Sequence, residues 1–185
     1  MIVHETPLPG VLIIEPAVHK DPRGFFLETF SAARYEKSGI PGPFVQDNHS
    51  RSLKGTVRGL HLQVNRPQGK LMRAVSGAML DVAVDVRVGS PTFGRWTGAV
   101  LSGDNFRQLY VPPGFAHGFA VISDVVDVEY KCTDYYAPED EITVAWNDAS
   151  IGIEWPVGEP TLSARDSSAK TLSELMDRLP RYVAR

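Results

Sequence analysis

The chain has 185 residues, which suits one domain and is enough to bury about 70% of the unfolded surface without a disulfide or metal. Its 19 basic and 22 acidic residues leave a formal charge of −3, so no global positive field attracts nucleic acid or membrane. No apolar run is long enough to span a bilayer, and Met1–Pro9 lacks a signal-peptide pattern. The single Cys132 cannot form a disulfide within one chain, which favours the reducing cytoplasm. We therefore expect a cytoplasmic protein with one domain over residues 1–185.

Short stretches of alternating apolar and polar residues follow one another along the chain and predict strands. In chain order they are Val11–Glu15, Phe25–Phe30, Phe44–Asn48, Val57–Gln63, Lys70–Ser76, Ala78–Arg87, Trp96–Leu101, Gln108–Val111, Phe115–Ile122, Val125–Lys131 and Ile142–Trp146. Turn signals rich in Gly, Pro, Asn and Asp separate them. Many short strands at this spacing predict an all-β sandwich or barrel.

Two of these strands show the alternation most clearly. In Ala78–Arg87 one face is wholly apolar and the other mostly polar, which is typical of a half-buried strand. In Val125–Lys131, Tyr130 shares its face with Val126 and Val128. We therefore expect the Tyr130 side chain to point inward.

Helical signal is sparse and confined to two segments. Ser31–Lys37 could form two turns behind a serine cap. Thr171–Leu179 begins with a capping box made by Thr171 and Glu174, and Pro180 stops it. Both predict short helices outside the main run of strands.

The segment Arg58-Gly59-Leu60-His61, followed by Lys70, combines a phosphate-binding cation, a titratable imidazole and an ammonium on adjoining strands. Strict alternation would send Arg58 and His61 to opposite faces of the strand. Both can serve one pocket only if the strand bulges or twists at Gly59, which a glycine permits. We therefore predict an irregularity at Gly59.

His117 lies in Pro112-x-Gly114-x-x-His117, which resembles the second half-motif of the cupin jelly rolls. In metal-binding cupins this histidine joins a His-x-His pair and a Glu, but Leu62 and Gln63 follow His61 here. A transition metal needs three or four N, O or S ligands. The alternative interpretation is therefore a metal site at which His49, His61 and His117 converge. We favour a cupin barrel that keeps the pocket and has no metal.

Ordered motifs over nearly the whole chain resemble the dTDP-4-dehydrorhamnose 3,5-epimerase family. They are Asp21-Pro22-Arg23-Gly24-Phe25-Phe26-Leu27-Glu28, Phe44-Val45-Gln46-Asp47-Asn48-His49-Ser50, Arg58-Gly59-Leu60-His61, Gln68-Gly69-Lys70, Gly89-Ser90-Pro91-Thr92-Phe93-Gly94, Gly114-Phe115-Ala116-His117-Gly118-Phe119, Tyr130-Lys131-Cys132-Thr133-Asp134-Tyr135-Tyr136, Trp146-Asn147-Asp148 and Leu162-Ser163-Ala164-Arg165-Asp166. The resemblance implies a cupin-type double-stranded β-helix, or jelly roll, with a core at about residues 44–150, short terminal helices and an N-terminal strand extension.

The resemblance also implies roles for individual residues. His61 would be the base, oriented by Asp166, while Tyr130 would return a proton on the opposite sugar face and Lys70 would hold the enolate oxygen. Tyr136 would stack on the ligand. The expected binding residues for the nucleotide and its diphosphate are Arg23, Glu28, Gln46, Asp47, Asn48, Arg58, His117, Glu141 and Arg165. Since Arg23 and Glu28 serve the neighbouring subunit in the family, a homodimer is implied.

The implied reaction needs no cofactor and no metal. Carbons 3 and 5 of dTDP-4-dehydro-6-deoxyglucose both flank the keto group, so inversion needs a base, a donor on the opposite face and charge stabilisation at the oxygen. One departure concerns Arg165, where the family usually has lysine. The alternatives are an enzyme that inverts carbon 3 alone, a metal-dependent cupin and a nucleotide-sugar-binding cupin without activity.

Overall fold

The structure is a computed structural model that describes residues 1–184, and strands dominate it. Within those residues the strands are β1 (Ile2–Glu5), β2 (Leu12–Glu15), β3 (Val18–Asp21), β4 (Gly24–Leu27), β5 (Gln46–Leu53), β6 (Val57–Gln63), β7 (Lys70–Ser76), β8 (Ala78–Asp85), β9 (Trp96–Ser102), β10 (Gln108–Val111), β11 (Phe115–Val121), β12 (Val125–Cys132) and β13 (Glu141–Thr143). Two short helices, α1 (Ala32–Lys37) and α2 (Ala164–Ser167), and two 3₁₀ turns complete the described elements. None of these helices is long and apolar enough to cross a membrane.

Two antiparallel sheets face each other and form the predicted jelly roll. The six-stranded sheet has the order β1-β2-β10-β7-β12-β5, and the five-stranded sheet has the order β13-β6-β11-β8-β9. Met72 and Val128 of the first sheet and Met79, Phe119 and Val121 of the second belong to one buried cluster between them. The all-β fold class is confirmed, and the interior between the sheets is where opposed side chains meet.

Strand β8 is buried on both faces, so the prediction of a half-buried strand was wrong. Its apolar face, including Val82 and Val84, packs under the C-terminal segment with Leu172 and Leu175. Its mixed face points between the sheets and carries Asp81, which has 0% exposure. Alternation predicts a half-buried strand here because nothing local shows that the C-terminal segment covers its apolar face.

The N-terminal strands extend the six-stranded sheet beyond the predicted core of 44–150. Tyr110 of β10 pairs with Leu12 of β2, and β2 pairs with β1. Strands β1 and β3 were not predicted because their short sequences, IVHE and VHKD, carry little alternation. The hairpin of β3 and β4 forms a separate two-stranded sheet.

The first predicted helix is confirmed as α1, but Ser31 at its N-cap position makes no side-chain hydrogen bond to the helix. The second was wrong, since only Ser173–Leu175 forms a 3₁₀ turn within Thr171–Leu179. The capping contact itself exists, because the Thr171 amide donates to Glu174 Oε2 at 2.8 Å. The Leu172 amide instead donates to the buried Asp148 carboxylate at 2.6 Å, so tertiary contacts hold this segment against the sheet.

Candidate active site

An irregularity at Gly59 brings Arg58 and His61 to the same face of β6, as predicted. His61 lies opposite His117 on β11, and Arg58 lies opposite Phe119. Three steps along β6 therefore correspond to two along β11, which is the signature of a bulge. Gly59 has φ of +130°, and a Cβ atom there would lie 2.6 Å from the Gly118 Cα. Only glycine fits this close approach, which turns both side chains inward.

His61 is held by a buried carboxylate from the C-terminal part of the chain. Its Nε2 lies 2.6 Å from Asp166 Oδ1, and the Asp166 side chain is 3% exposed. Asp166 lies on α2, where its amide donates to the Ser163 hydroxyl at the helix start. Burial alone would raise the pKa of the Asp166 carboxyl, but the hydrogen bond and charge of His61 hold that pKa below its ordinary value. The other imidazole nitrogen, Nδ1, is left to face the cleft.

His117 forms a second pair of histidine and carboxylate inside the barrel. Its Nε2 lies 2.7 Å from Asp81 Oδ1, and both residues are buried. Within the described residues, Asp81 Oδ2 is a buried side-chain atom without a hydrogen-bond partner. Sequence reasoning missed Asp81, although alternation places it on the same face of β8 as Met79 and Ala83, which line the interior.

Lys70 and Tyr130 enter the same interior from the six-stranded sheet. Lys70 pairs with Cys132, and Tyr130 pairs with Met72, so these side chains share the inner face. Burial lowers the pKa of Lys70, while Cys132 and the Asp81 carboxylate across the barrel act in the opposite direction. Burial raises the pKa of Tyr130, Cys132 and Tyr136 add to that rise, and Arg58 opposes it. Lys70 and Tyr130 are therefore on the inner face of one sheet, opposed to the inner face of the other sheet, which carries His61.

The edge strand β5 supplies polar side chains beside this group. Asn48 pairs with Tyr130 and Gln46 pairs with Cys132, so both amides face inward. Gln46 donates to Asn48 at 3.0 Å and accepts from the Tyr136 amide at 2.9 Å. Arg58 donates to the Ser52 hydroxyl at 2.9 Å. These groups make a polar wall next to Tyr130.

Glu141 joins three residues at the mouth of the cleft. The Tyr136 hydroxyl donates to Glu141 Oε2 at 2.9 Å, and the Arg165 guanidinium donates to the same oxygen. The other oxygen, Oε1, lies 3.9 Å from His61 Nδ1. Arg165 thus holds Glu141 beside the imidazole.

Three predicted binding residues lie away from this group. Asp47 points to the opposite face of β5 from Gln46 and Asn48 and binds Lys131 Nζ at 2.9 Å. Arg23 is at the exposed turn of the β3–β4 hairpin, where it pairs with Asp21, and Glu28 pairs with Arg34 at 3.2 Å. In a single chain these three do not join His61 and Lys70.

The three histidines of the metal alternative do not converge. His61 and His117 face inward, whereas His49 is on the outer face of β5 and lies 3.2 Å from Asp127. Among residues 1–184, no three His, Cys, Asp or Glu side chains are placed to hold a metal ion. A cavity of about 380 Å³ is lined by His49 and Lys131 and also by Asn48 and Tyr130, whereas neither His61 nor Lys70 lines it.

Comparison with known proteins identifies the family of the chain. Residues 5–174 match the family model described as dTDP-4-dehydrorhamnose 3,5-epimerase. The enzyme of that name from Neisseria gonorrhoeae is 51% identical, and the match covers 94% of this chain. This chain spans about half, 53%, of the length of that protein. A crystal structure of a 3,5-epimerase from Legionella pneumophila, in complex with dTDP-4-keto-L-rhamnose, superposes with a TM-score of 0.96 at 50% identity and covers 99% of both chains. A dTDP-4-dehydrorhamnose 3-epimerase from Streptomyces niveus is 42% identical over 94% of this chain and 86% of its own. The chain belongs to the dTDP-4-dehydrorhamnose 3,5-epimerase family.

Proposed function

We propose that this protein inverts carbons 3 and 5 of dTDP-4-dehydro-6-deoxyglucose and so forms dTDP-4-dehydro-L-rhamnose. One observation carries the proposal: the inner face of one sheet bears His61, backed by Asp166, and the inner face of the opposed sheet bears Tyr130 and Lys70. Family membership and the sugar nucleotide bound by the Legionella relative support the substrate class.

The reaction follows from the chemistry of these three groups. His61 Nδ1 removes the proton next to the keto carbon, and Tyr130, from the opposite sheet, gives a proton to the other face. Lys70 stabilises the enolate oxygen that forms between the two steps. General acid–base catalysis supplies about 10²–10⁴-fold, and a charged donor at the oxyanion in a buried site adds about 10²–10³-fold. The same keto group acidifies both carbons, so one set of residues serves two inversions.

The remaining side chains of the cleft bind the rest of the substrate. Arg58 and Arg165 supply cations for the diphosphate, which arginine holds through paired hydrogen bonds. Gln46, Asn48 and His117 supply polar contacts, and the half-exposed ring of Tyr136 provides a face for stacking. Local arginines thus attract the anion although the net charge is −3.

A homodimer would bring Arg23 and Glu28 to the cleft of the partner. Both are on the outside of their own chain, and the same hairpin exposes Phe25 and Phe26 by 59% and 70%. Apolar side chains this exposed are typical of an interface. We also place the protein in the cytoplasm, since its one cysteine, Cys132, is buried and unpaired.

Mixing two inactive variants tests the exchange of Arg23. Equal amounts of His61→Asn and Arg23→Ala protein, dissociated and reassociated, should regain about a quarter of the wild-type activity, because in half of the dimers one site has both residues. Either variant treated alone is the control. Activity that stays at the level of the separate variants would show that Arg23 acts within its own chain or not at all.

Deuterium incorporation from solvent tests the reaction itself. We expect deuterium at both carbon 3 and carbon 5 of the product, measured by NMR. Label at carbon 3 alone would identify a 3-epimerase, and binding without label would identify a nucleotide-sugar-binding protein. Full activity after treatment with a chelator is the expected result for the metal-independent mechanism, and loss restored by a metal would favour the metal-dependent cupin.

A further inference from the structure

A strained aromatic residue lies outside the cleft, in the turn between β9 and β10. Among residues 1–184, Phe106 is the one non-glycine residue with a positive φ, at +57°. This left-handed conformation is unfavourable for a bulky side chain, and glycine or asparagine is the usual residue there. Asn105 holds the backbone on both sides, since its Oδ1 accepts from the amides of Ser102 at 3.0 Å and Arg107 at 2.9 Å. The reason for a large ring at this position lies in what the ring contacts.

The Phe106 ring contacts both strands of the β3–β4 hairpin. It packs against Phe25 of β4, with ring centroids 4.8 Å apart and an angle of 59° between the planes. Lys20 of β3 pairs with Phe25 across the hairpin, and its Nζ atom lies 6.0 Å from the centre of the Phe106 ring. One side chain of the turn thus joins the hairpin to the rest of the chain.

The hairpin depends on such side-chain contacts for its position. Among the described strands, β3 and β4 pair only with each other, so no backbone ladder joins them to the two main sheets. An isolated two-stranded hairpin is at best marginally stable in water. The chain is fixed just after β4 at Thr29, whose carbonyl accepts from the Tyr35 hydroxyl at 2.9 Å and the Gln108 amide at 2.8 Å. Nearer the tip, the ring of Phe106 holds the hairpin.

This contact also decides which side chains the hairpin turns outward. A narrow cavity of about 70 Å³ is lined by Phe25 and Leu27 of the hairpin and by Val75 of β7, so these hairpin side chains face the sheet. Phe26 alternates to the opposite face and is 70% exposed. The Arg23 side chain at the tip is 90% exposed. Both are therefore directed away from their own chain, where a second subunit can reach them.

We propose that Phe106 is a positioning residue, whose ring packs on Phe25 and so holds the hairpin in the orientation that presents Arg23 to the cleft of the partner subunit. Asparagine would suit the positive φ better, but it has no ring to pack on Phe25. The inference rests on the proposed function and its homodimer. It explains how an exposed arginine on a two-stranded hairpin keeps its place before substrate arrives.

Phe106→Gly tests this role, because it removes the ring and relieves the positive φ, so the variant should fold. Without the contact the hairpin is less ordered, and binding must order it again. The contribution of an aromatic pair corresponds to about a 2- to 10-fold change in an equilibrium constant. We therefore expect the Kd for dTDP, measured by calorimetry, to rise about 2- to 10-fold, while kcat at saturating substrate stays within about 2-fold of wild type.

Hydrogen exchange measures the order of the hairpin directly. The amides of β3 and β4 should exchange faster in Phe106→Gly than in wild type, while those of the buried strand β8 keep their rates. Phe106→Tyr keeps the ring and should match wild type in Kd and in exchange. Asp104→Gly adds a glycine at an exposed position of the same turn, and this control should also match wild type.

Phe25→Ala removes the same contact from the hairpin side. If Phe25 acts through Phe106, the double variant should bind dTDP no more weakly than the weaker of the two single variants. Additive losses would show that the two rings act separately and would overturn the positioning role.

The remaining outcomes separate this role from the reaction. A Kd of Phe106→Gly within about 1.5-fold of wild type overturns the positioning role, and so does a weaker Kd with unchanged exchange in the hairpin. Binding of dTDP and hydrogen exchange need no turnover, so they decide the role of Phe106 even if wild-type protein inverts neither carbon, a result that overturns the proposed function alone. Failure of wild-type protein to bind dTDP overturns both.

Discussion

Replacement of Asp166 by asparagine isolates the contribution of the carboxylate behind His61. The structure sets the magnitude, because the carboxylate is 3% exposed and 2.6 Å from Nε2. A hydrogen bond to a charged group contributes about 1.5–3 kcal/mol, which is about 10- to 100-fold in kcat. The loss is larger when the asparagine amide donates to His61 Nε2, because the imidazole proton then stays on Nδ1 and this nitrogen cannot act as the base. The same change in a serine-protease triad costs about 10⁴-fold.

We therefore expect kcat of Asp166→Asn to fall between about 10- and 10⁴-fold, with KM changed much less. Product formation followed by chromatography measures both constants. Asp177→Asn, an exposed carboxylate outside the cleft, is the matched control and should match wild type. A kcat of Asp166→Asn within about 3-fold of wild type would refute the positioning role of Asp166.

The same variant has a distinct signature in stability against pH. Burial raises the pKa of the Asp166 carboxyl, and its bonds to His61 and Ser163 more than offset this, so the pKa lies below its ordinary value of 3.8 in the folded protein. A depressed pKa stabilises the fold above pH 3.8, and the stabilisation is lost as pH falls through the folded value. The difference in unfolding free energy between wild type and Asp166→Asn should therefore shrink below about pH 4, as urea titration would show.

Three other changes test the fold and the cleft. Gly59→Ala should lower the free energy of unfolding by about 2–4 kcal/mol, because Gly59 combines a positive φ with a 2.6 Å approach of the added Cβ to Gly118. Gly39→Ala, at a position with positive φ and open space, should cost only about 1–2 kcal/mol. Equal losses in urea titrations would contradict the close-approach argument. Asp85→Asn should destabilise by about 1–3 kcal/mol at pH 7, since burial raises the pKa of Asp85 but its hydrogen bonds hold that pKa below 3.8. The difference from wild type should shrink as pH falls below 3.8, and a difference that does not depend on pH would argue against this. Lys70→Met should reduce kcat about 10²–10³-fold, because it removes the cation at the enolate oxygen. The variant should be at least as stable as wild type, because burial of an ammonium is costly. A less stable variant with normal kcat would exclude the oxyanion role.

The inward placement of the catalytic residues could be predicted because it depends on alternation within single strands. Tyr130 shares the inner face with Val126 and Val128, as its spacing indicates. The Gly59 bulge was also predictable, since Arg58 and His61 could reach one pocket in no other way. Alternation could equally have excluded Asp47, which lies between the inward Gln46 and Asn48.

Other features could not be predicted, because their partners are distant in sequence. Asp81 and His117 are on neighbouring strands 36 residues apart, and nothing near Asp81 indicates an imidazole partner. The segment Thr171–Leu179 satisfies the rules for a helix start but forms only a 3₁₀ turn, because burial of Leu172 and Leu175 against the sheet overrides local propensity.

The amino-acid sequence by itself determined the strand pattern, the class of fold and the chemical types needed for proton transfer beside a keto group, because these depend on residue identity and spacing of a few positions. Only the tertiary structure decided which side chains meet. It pairs Asp166 with His61 across 105 positions of the chain and places Glu141 between His61 and Tyr136. Such contacts arise from the stacking of two sheets and from a C-terminal segment folded over one of them, and local periodicity carries no information about either.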